Sequence, residues 1–311
     1  MIRTAGTHHR SFLLLTVVLV SLVPAVVAWA GGPLDSLRAL PTQTTVDAVR
    51  NKPSAASPSE SDSRSLKELP RDILRDQKFL WLRPFRMKRS DVPWAGAIVG
   101  TTAGLIAIDR PVGQELSENP PGDGFAFSRR VGQFGGLLTD YGIAAGFYVI
   151  GRWRGDKRMR ATGVLGLRAV TDSLIIVEIL KTASQRPRPT RDDSRLRNHN
   201  ADGEFFTGGR SFPSGHAAQA WALATVVAHQ YRHRGWVPPT AYGLAGLVAV
   251  ARVTQRKHFP ADIFVGSVLG YLIGRHVAHS PCVDEEMPRR WHLISYVPMR
   301  GGATLALTWE F

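Results

Sequence analysis

The chain has 311 residues, 44% hydrophobic and 21% charged, with a net charge of +14. That composition excludes a wholly disordered chain, a collagen and a coiled-coil rod, and the length suits one catalytic domain with extensions or two small domains. The charge implies an anionic partner, whether a phosphorylated substrate, an anionic membrane surface or a nucleic acid, and the single cysteine, Cys282, excludes an internal disulfide, a Cys-based zinc site and a CxxC redox pair.

At the N-terminus, Arg3, His8, His9 and Arg10 precede an uncharged run from Ser11 to Ala30 that closes on Ala28-Trp29-Ala30. This layout reads as a secretory signal peptide over residues 1–30, with a transmembrane anchor as the alternative. Export argues against nucleic acid as the partner. Residues 31–66, including PSAASPSESDSRS, read as a flexible linker. Residues 67–91 mix basic residues with Leu, Ile, Phe and Trp, which suits an amphipathic helix resting on the domain or on a lipid surface.

From residue 92 the pattern is helical. Apolar segments at about 92–109, 131–151, 161–184, 214–232, 237–253 and 260–278 predict an all-α bundle of about six core helices over residues 92–280. In the tail, 281–311, Leu305, Leu307, Trp309 and Phe311 alternate with Ala306, Thr308 and Glu310, which predicts a short C-terminal β-hairpin. A membrane span needs about 20 apolar residues, and about 17 at least. Val92 to Ile108 and Gly235 to Ala251 meet the lower limit and Ser211 to Tyr231 exceeds it, whereas Ile263 to Gly274 is too short and Asp140, Arg168, Asp172 and Glu178 interrupt the second and third segments. The basic loops 152–160 and 231–235 prefer the cytoplasm. A soluble or peripheral exported bundle and an integral one both fit this pattern.

Three clusters hold the informative polar residues. Lys181 to Pro189 places Lys181 near a helix end, then breaks the helix with Arg186-Pro187 and Arg188-Pro189. Cations there bind anions or complement the helix dipole. Pro213-Ser214-Gly215-His216 opens the fourth segment, where free amides bind phosphate and a histidine lies alongside; an N-cap serine with a packed histidine reads the same way. Arg252, His258 and Asp262 form the third cluster. The spacing of four puts His258 and Asp262 on one face of a helical turn, where a carboxylate fixes the imidazole tautomer and frees the other nitrogen as a nucleophile; a surface His–Asp pair is the plainer alternative. In an antiparallel bundle all three clusters fall at one end. No Cys, His or carboxylate cluster has metal-ligand spacing.

These motifs resemble the type 2 phosphatidic acid phosphatase / vanadium haloperoxidase superfamily. Lys181, Arg188-Pro189, Pro213-Ser214-Gly215-His216, Arg252, His258 and Asp262 stand at the required spacings across residues 92–280, and Ala251 departs from the family's serine. Arg186 does not fit the spacing from Lys181. The resemblance implies a metal-free phosphatase without cofactor, inhibited by vanadate, acting on a phosphomonoester or pyrophosphate on a lipid or small molecule. His258 would be the nucleophile, Asp262 its orienting partner and His216 the acid and base. Lys181, Arg188, Ser214, Gly215 and Arg252 would hold the phosphoryl oxygens. The signal-peptide layout and the basic loops 152–160 and 231–235 predict an enzyme of the cell envelope, periplasmic or at a membrane surface, with the site on the extracytoplasmic side. A vanadium-dependent haloperoxidase, with vanadate on His258, and a non-enzymatic anion-binding envelope protein are the alternatives. Substrate and oligomeric state stay open.

Overall fold

The computed structural model describes residues 66–118, 125–133, 135–189 and 203–280, together with the backbone of 292–299 and 302–308. The signal-peptide expectation, nearly all of the linker and the loop 190–202 lie outside the described residues.

Eight helices build the body: α1 Leu69–Leu82, α2 Val92–Glu118, α3 Phe125–Gln133, α4 Leu137–Arg154, α5 Lys157–Ser184, α6 Gly215–Gln230, α7 Val237–Thr254 and α8 Pro260–His279. Their ends follow local chemistry. Gly155, at φ 67°, closes α4 in the left-handed conformation, and Asp156 caps α5 by accepting a hydrogen bond from the Met159 amide at 3.0 Å. Those two residues turn α4 back on α5 as an antiparallel pair. Gln185, at φ 47°, stops α5, and the Arg186-Pro187 step keeps the chain extended beyond it.

Helix α6 is the hub. Twelve of its sixteen residues are buried, a share that requires neighbours on every side, and α4, α5, α7 and α8 supply them. Six of its sixteen residues are alanine, so those neighbours come close. The tightest approach is to α8, where Gly266, Gly270 and Gly274 face the carbonyls of Ser214, Ala218 and Ala222. A Cβ at those glycines would lie 2.5, 2.1 and 2.5 Å from the carbonyl oxygens. Trp221, fully buried on α6, joins Val253, Ile263 and Phe264 in the main core.

Helix α1 docks on α5 and α8 through charge. Asp76 is buried and accepts from the Arg168 guanidinium, at 2.6 Å for Nη2, and pairs with His276 Nε2 at 2.9 Å. Gln77 Nε2 donates to Asp172 Oδ1 at 2.9 Å, and Phe79 stacks on His276 at 4.2 Å. The amphipathic segment therefore rests on the bundle. Helix α2 behaves differently. Among the described residues it alone is long and apolar enough to cross a membrane, over Arg89–Gln114, and only 6% of that window is buried.

The expected architecture needs correction on two points. The second apolar segment, 131–151, divides between the end of α3 and most of α4, so residues 92–280 hold seven helices among the described residues rather than about six, and the separately expected amphipathic helix, α1, makes eight. No strand belongs to that body, so the expected bundle that includes a C-terminal β-hairpin is corrected to an all-helical body; the backbone of 292–299 and 302–308 pairs antiparallel outside it. Alternation over a few residues gives a strand pattern, but two strands without a third or a helix face to bury against are marginal.

Replacing Asp76 by alanine leaves buried Arg168 with only its longer contact to Asp72, at 3.3 Å. The expected cost is up to about 3 kcal/mol, the lower end of the range for breaking a buried pair, measured as a lowered denaturation midpoint together with early proteolysis within α1.

Candidate active site

The three clusters meet at one end of the bundle, as the antiparallel order requires. Lys181 lies in the last turn of α5, and its Nζ sits beside Gly215: a Cβ on that glycine would lie 3.3 Å from it. Lys181 Nζ also pairs with Glu178 Oε1 at 2.8 Å, and Glu178 pairs in turn with Arg210. Arg188 is exposed on the extended stretch after α5. Ser214 is the N-cap of α6, with Gly215 and His216 its first two residues. Arg252 comes from the last turn of α7.

His258 precedes α8 and Asp262 is that helix's third residue, so the two meet across a helix start rather than along one helical face. Asp262 Oδ2 accepts the Phe259 amide at 3.0 Å, which caps α8 and points the carboxylate back at His258. The Nδ1–Oδ2 separation is 3.4 Å. Ser211, fully buried, closes the gap: its hydroxyl donates to Asp262 Oδ2 and lies 3.3 Å from His258 Nδ1. With Nδ1 facing two oxygens, Nε2 is the nitrogen left to react.

Charge shapes the protonation states. Burial, then Arg252, His258, Lys181 and Arg188, push His216 down to about 3, so in the resting site it is a neutral imidazole. Burial also lowers His258, and Arg252 and Arg188 add to it, against the opposing pull of Asp262. Burial works to raise Asp262, but the contacts to His258, Arg186 and Ser211 outweigh it and hold the carboxylate below its ordinary range. Burial and Arg188 bring Arg252 down to about 10, which leaves it cationic at neutral pH. The same cations act on both histidines, which places all of them around one small volume.

Two predicted oxygen-binding groups are poised for an anion. Ser214 Oγ and Arg252 Nε are both buried and have no hydrogen-bond partner, while Arg252 Nη1 is fixed on Gln255 Oε1 at 2.9 Å. A buried donor without an acceptor costs about 1–3 kcal/mol, a cost that phosphoryl oxygens would relieve.

The sequence reading missed four contributors. Arg186, set aside on spacing, is 1% exposed and bridges Asp262 and Asp109, each at 2.7 Å. Asp109 left a visible trace, being the first charge after the uncharged run Val92 to Ile108. Ser211 and Gln255 carry no pattern that marks them. Among the loop aromatics, Phe205 packs over the Arg186 guanidinium at 4.8 Å, whereas Phe206 is 78% exposed.

A second concavity, of about 830 Å³, runs along α6 between α4 and α7. Ile143, Phe147, Leu223 and Leu244 line its apolar walls. Val248 lies at its upper end, one turn before Arg252 on α7, and Arg154, Arg234 and Trp236 ring its far end.

Comparison with known proteins places this arrangement. Residues 162–282 match the family model described as the PAP2 superfamily. A lipid A 1-phosphatase of Porphyromonas gingivalis is 33% identical over 69 residues, 22% of this chain and 16% of that protein, so the chain spans only a small part of that relative's length. A crystal structure titled the first transmembrane PAP2 type phosphatidylglycerolphosphate phosphatase from Bacillus subtilis covers 63% of this chain and 98% of its own, at 21% identity and a TM-score of 0.42. Every residue named above for the phosphoryl group and for the two histidine roles lies inside the segment that matches the PAP2 superfamily model.

Proposed function

We propose that the protein is a metal-free phosphatase that hydrolyses a lipid-borne phosphomonoester or diphosphate through a phosphohistidine on His258. One observation carries the reading: two buried donors without acceptors, Ser214 Oγ and Arg252 Nε, stand in the same pocket as an imidazole whose Nδ1 already faces Asp262 and Ser211. Together they describe a phosphoryl site with a nucleophile in it.

The steps balance as follows. His258 Nε2 attacks phosphorus, the bond to the leaving oxygen breaks, and that oxygen takes a proton from His216. Water then attacks the phosphohistidine, giving a proton to His216, and the P–N bond breaks to release phosphate. His216 is neutral in the resting pocket because cations surround it. A phosphate anion offsets those cations, so the proton needed for the acid step arrives with the substrate. Lys181, Arg188, Arg252, Ser214 and the Gly215 amide stabilise charge on the equatorial oxygens, the part that a metal plays elsewhere. Three cations beside two histidines also repel a metal cation.

The groove below Arg252 supports a lipid-borne substrate, since an apolar chain attached to a phosphate at Arg252 has an apolar path to follow. Helix α2, apolar and 6% buried, supports a membrane anchor. Arg158 and His233, in contact at 2.8 Å, bring the basic loops 152–160 and 231–235 together at the end away from the site, which supports an extracytoplasmic catalytic end.

His258→Ala should abolish phosphate release without altering the fold, and near-native turnover would remove the nucleophile role. His216→Ala should cost about 10²–10⁴-fold on an alkyl phosphate and less on an activated aryl phosphate, whose leaving group needs little protonation. Equal losses on both would count against the acid role. Activity should persist in chelator and fall with vanadate; loss in chelator that a divalent metal restores refutes the metal-free mechanism. Ala241→Trp, which fills the groove, should cut kcat/KM at least about tenfold for a long-chain lipid phosphate and spare a short soluble one.

A further inference from the structure

Arg186 and Arg188 alternate with proline, yet they meet opposite surroundings. Arg188 is exposed, whereas Arg186 is 1% exposed and engaged at all three nitrogens. Its Nε donates to the Gly203 carbonyl at 2.8 Å, Nη1 to Asp262 Oδ1 at 2.7 Å and Nη2 to Asp109 Oδ2 at 2.7 Å. Its guanidinium carbon lies 4.8 Å from the Phe205 ring centroid and 4.4 Å from that of Phe259. A guanidinium held this way on every edge and on its faces has no fork to offer a phosphate.

We propose that Arg186 is a positioning residue of the phosphoryl-transfer site, and that Asp109, on α2, is the counter-charge that lets it act. The inference rests on the phosphatase reading above and adds two residues to it.

The physical reason lies in how the Asp262 oxygens are divided. Arg186 occupies Oδ1, so Oδ2 alone turns to Ser211, the Phe259 amide and His258 Nδ1. Carboxylate rotation is blocked, and with it the His258 tautomer and ring angle are fixed. Charge adds a second requirement. When Nε2 bonds to phosphorus with Nδ1 still protonated, the ring becomes cationic and needs a negative partner. Arg186 by itself would cancel Asp262. Asp109 restores the balance: with its carboxylate ionised, the three buried groups sum to one negative charge, which the phosphorylated imidazole then meets. Asp109 Oδ1 also accepts the Ala261 amide at 3.3 Å, next to Asp262, so α2 is tied both to the start of α8 and to Arg186.

The test uses the full-length protein with Arg186→Met, Arg186→Lys, Asp109→Asn and the Asp109→Asn/Arg186→Met double variant, each checked for a native melt. Arg186→Met should lower kcat by about 10²-fold or more and leave KM within about threefold, since misorientation rather than binding is lost. Arg186→Lys should recover part of that loss. Asp109→Asn, nearly isosteric, should cost roughly tenfold, as outer partners of an oriented imidazole do. The double variant should be no worse than Arg186→Met, because the two residues act as one unit. A rise in KM or in the vanadate inhibition constant with unchanged kcat would make Arg186 a phosphate ligand and overturn the proposal, as would an Asp109→Asn enzyme with wild-type kcat. Nitrogen-15 NMR of labelled histidine gives a readout that needs no turnover: His258 should carry its proton on Nδ1 in the wild type and become a tautomer mixture in Arg186→Met and Asp109→Asn. A tautomer that moves in the variants, when the wild-type protein itself shows no phosphatase activity, sinks the function and spares the positioning. A tautomer and kcat that stay fixed in an active enzyme sink the positioning alone.

Discussion

The backbones of α6 and α8 approach so closely at Gly266, Gly270 and Gly274 that no side chain fits between them, and the catalytic arrangement depends on that contact. The Ser214 amide donates to the Asp262 carbonyl at 2.9 Å, joining the first turns of the two helices. One helix start carries Ser214, Gly215 and His216; the other carries His258 and Asp262. Aligning them side by side is therefore a matter of packing rather than of loop geometry. Overpacking such a contact costs typically about 1–3 kcal/mol, and here any shift of α8 would also slide Asp262 past the Ser214 cap. Stability and site geometry are held by the same three glycines.

Gathering cations at this end raises an electrostatic problem, and the protein meets it unevenly. Glu178 accepts from both Lys181 and Arg210 at the rim, where solvent screens the charges. Deeper in, Arg186 lies between two buried aspartates. Arg252 has a neutral amide, Gln255, as its partner and keeps its charge for the pocket. The remaining imbalance falls on His216, which burial and these cations push down to about 3. Partial compensation of this kind leaves the pocket cationic while every deep arginine keeps at least one polar partner.

The sequence showed the pocket more clearly than its supports. Lys181, His216, Arg252, His258 and Asp262 stand at or beside helix ends that the linear pattern of apolar segments and breaks already marks, so a linear reading finds them. Arg186 and Asp109 meet only in space, seventy-seven positions apart, and no spacing rule predicts such a pair. Ser211 resembles any loop serine until the segment 203–213 folds back on 184–186, where Phe206, Thr207, Gly209 and Ser211 donate amides to the carbonyls of Ser184, Gln185 and Arg186. The i, i+4 argument for His258 and Asp262 reached the right contact by an inexact route, since Pro260 starts the helix between them. The six-helix expectation failed where Gly135 and Gly136 interrupt an apolar stretch, because hydrophobic periodicity alone does not register a break that short.

Ala251 is the one departure from the family pattern, and its surroundings show how the site accommodates it. The methyl group is buried in the α7 wall, and the residue's carbonyl accepts from the Gln255 amide at 3.0 Å, as in any helix. What a serine hydroxyl would supply at this position is a polar contact near Arg252. Gln255 supplies one from the next turn: its Oε1 accepts Arg252 Nη1 at 2.9 Å, and its Nε2 donates to the Ser128 carbonyl. Helix α3 thereby becomes part of the support, and Gly132 makes room for it, since a Cβ there would lie 2.0 Å from Gln255 Nε2. The guanidinium is held at Nη1 with Nε left for a ligand, the geometry that an oxyanion site needs from its arginine. Orientation of Arg252 thus rests on an amide anchored to a separate helix, and the missing hydroxyl takes away a neighbour rather than the constraint.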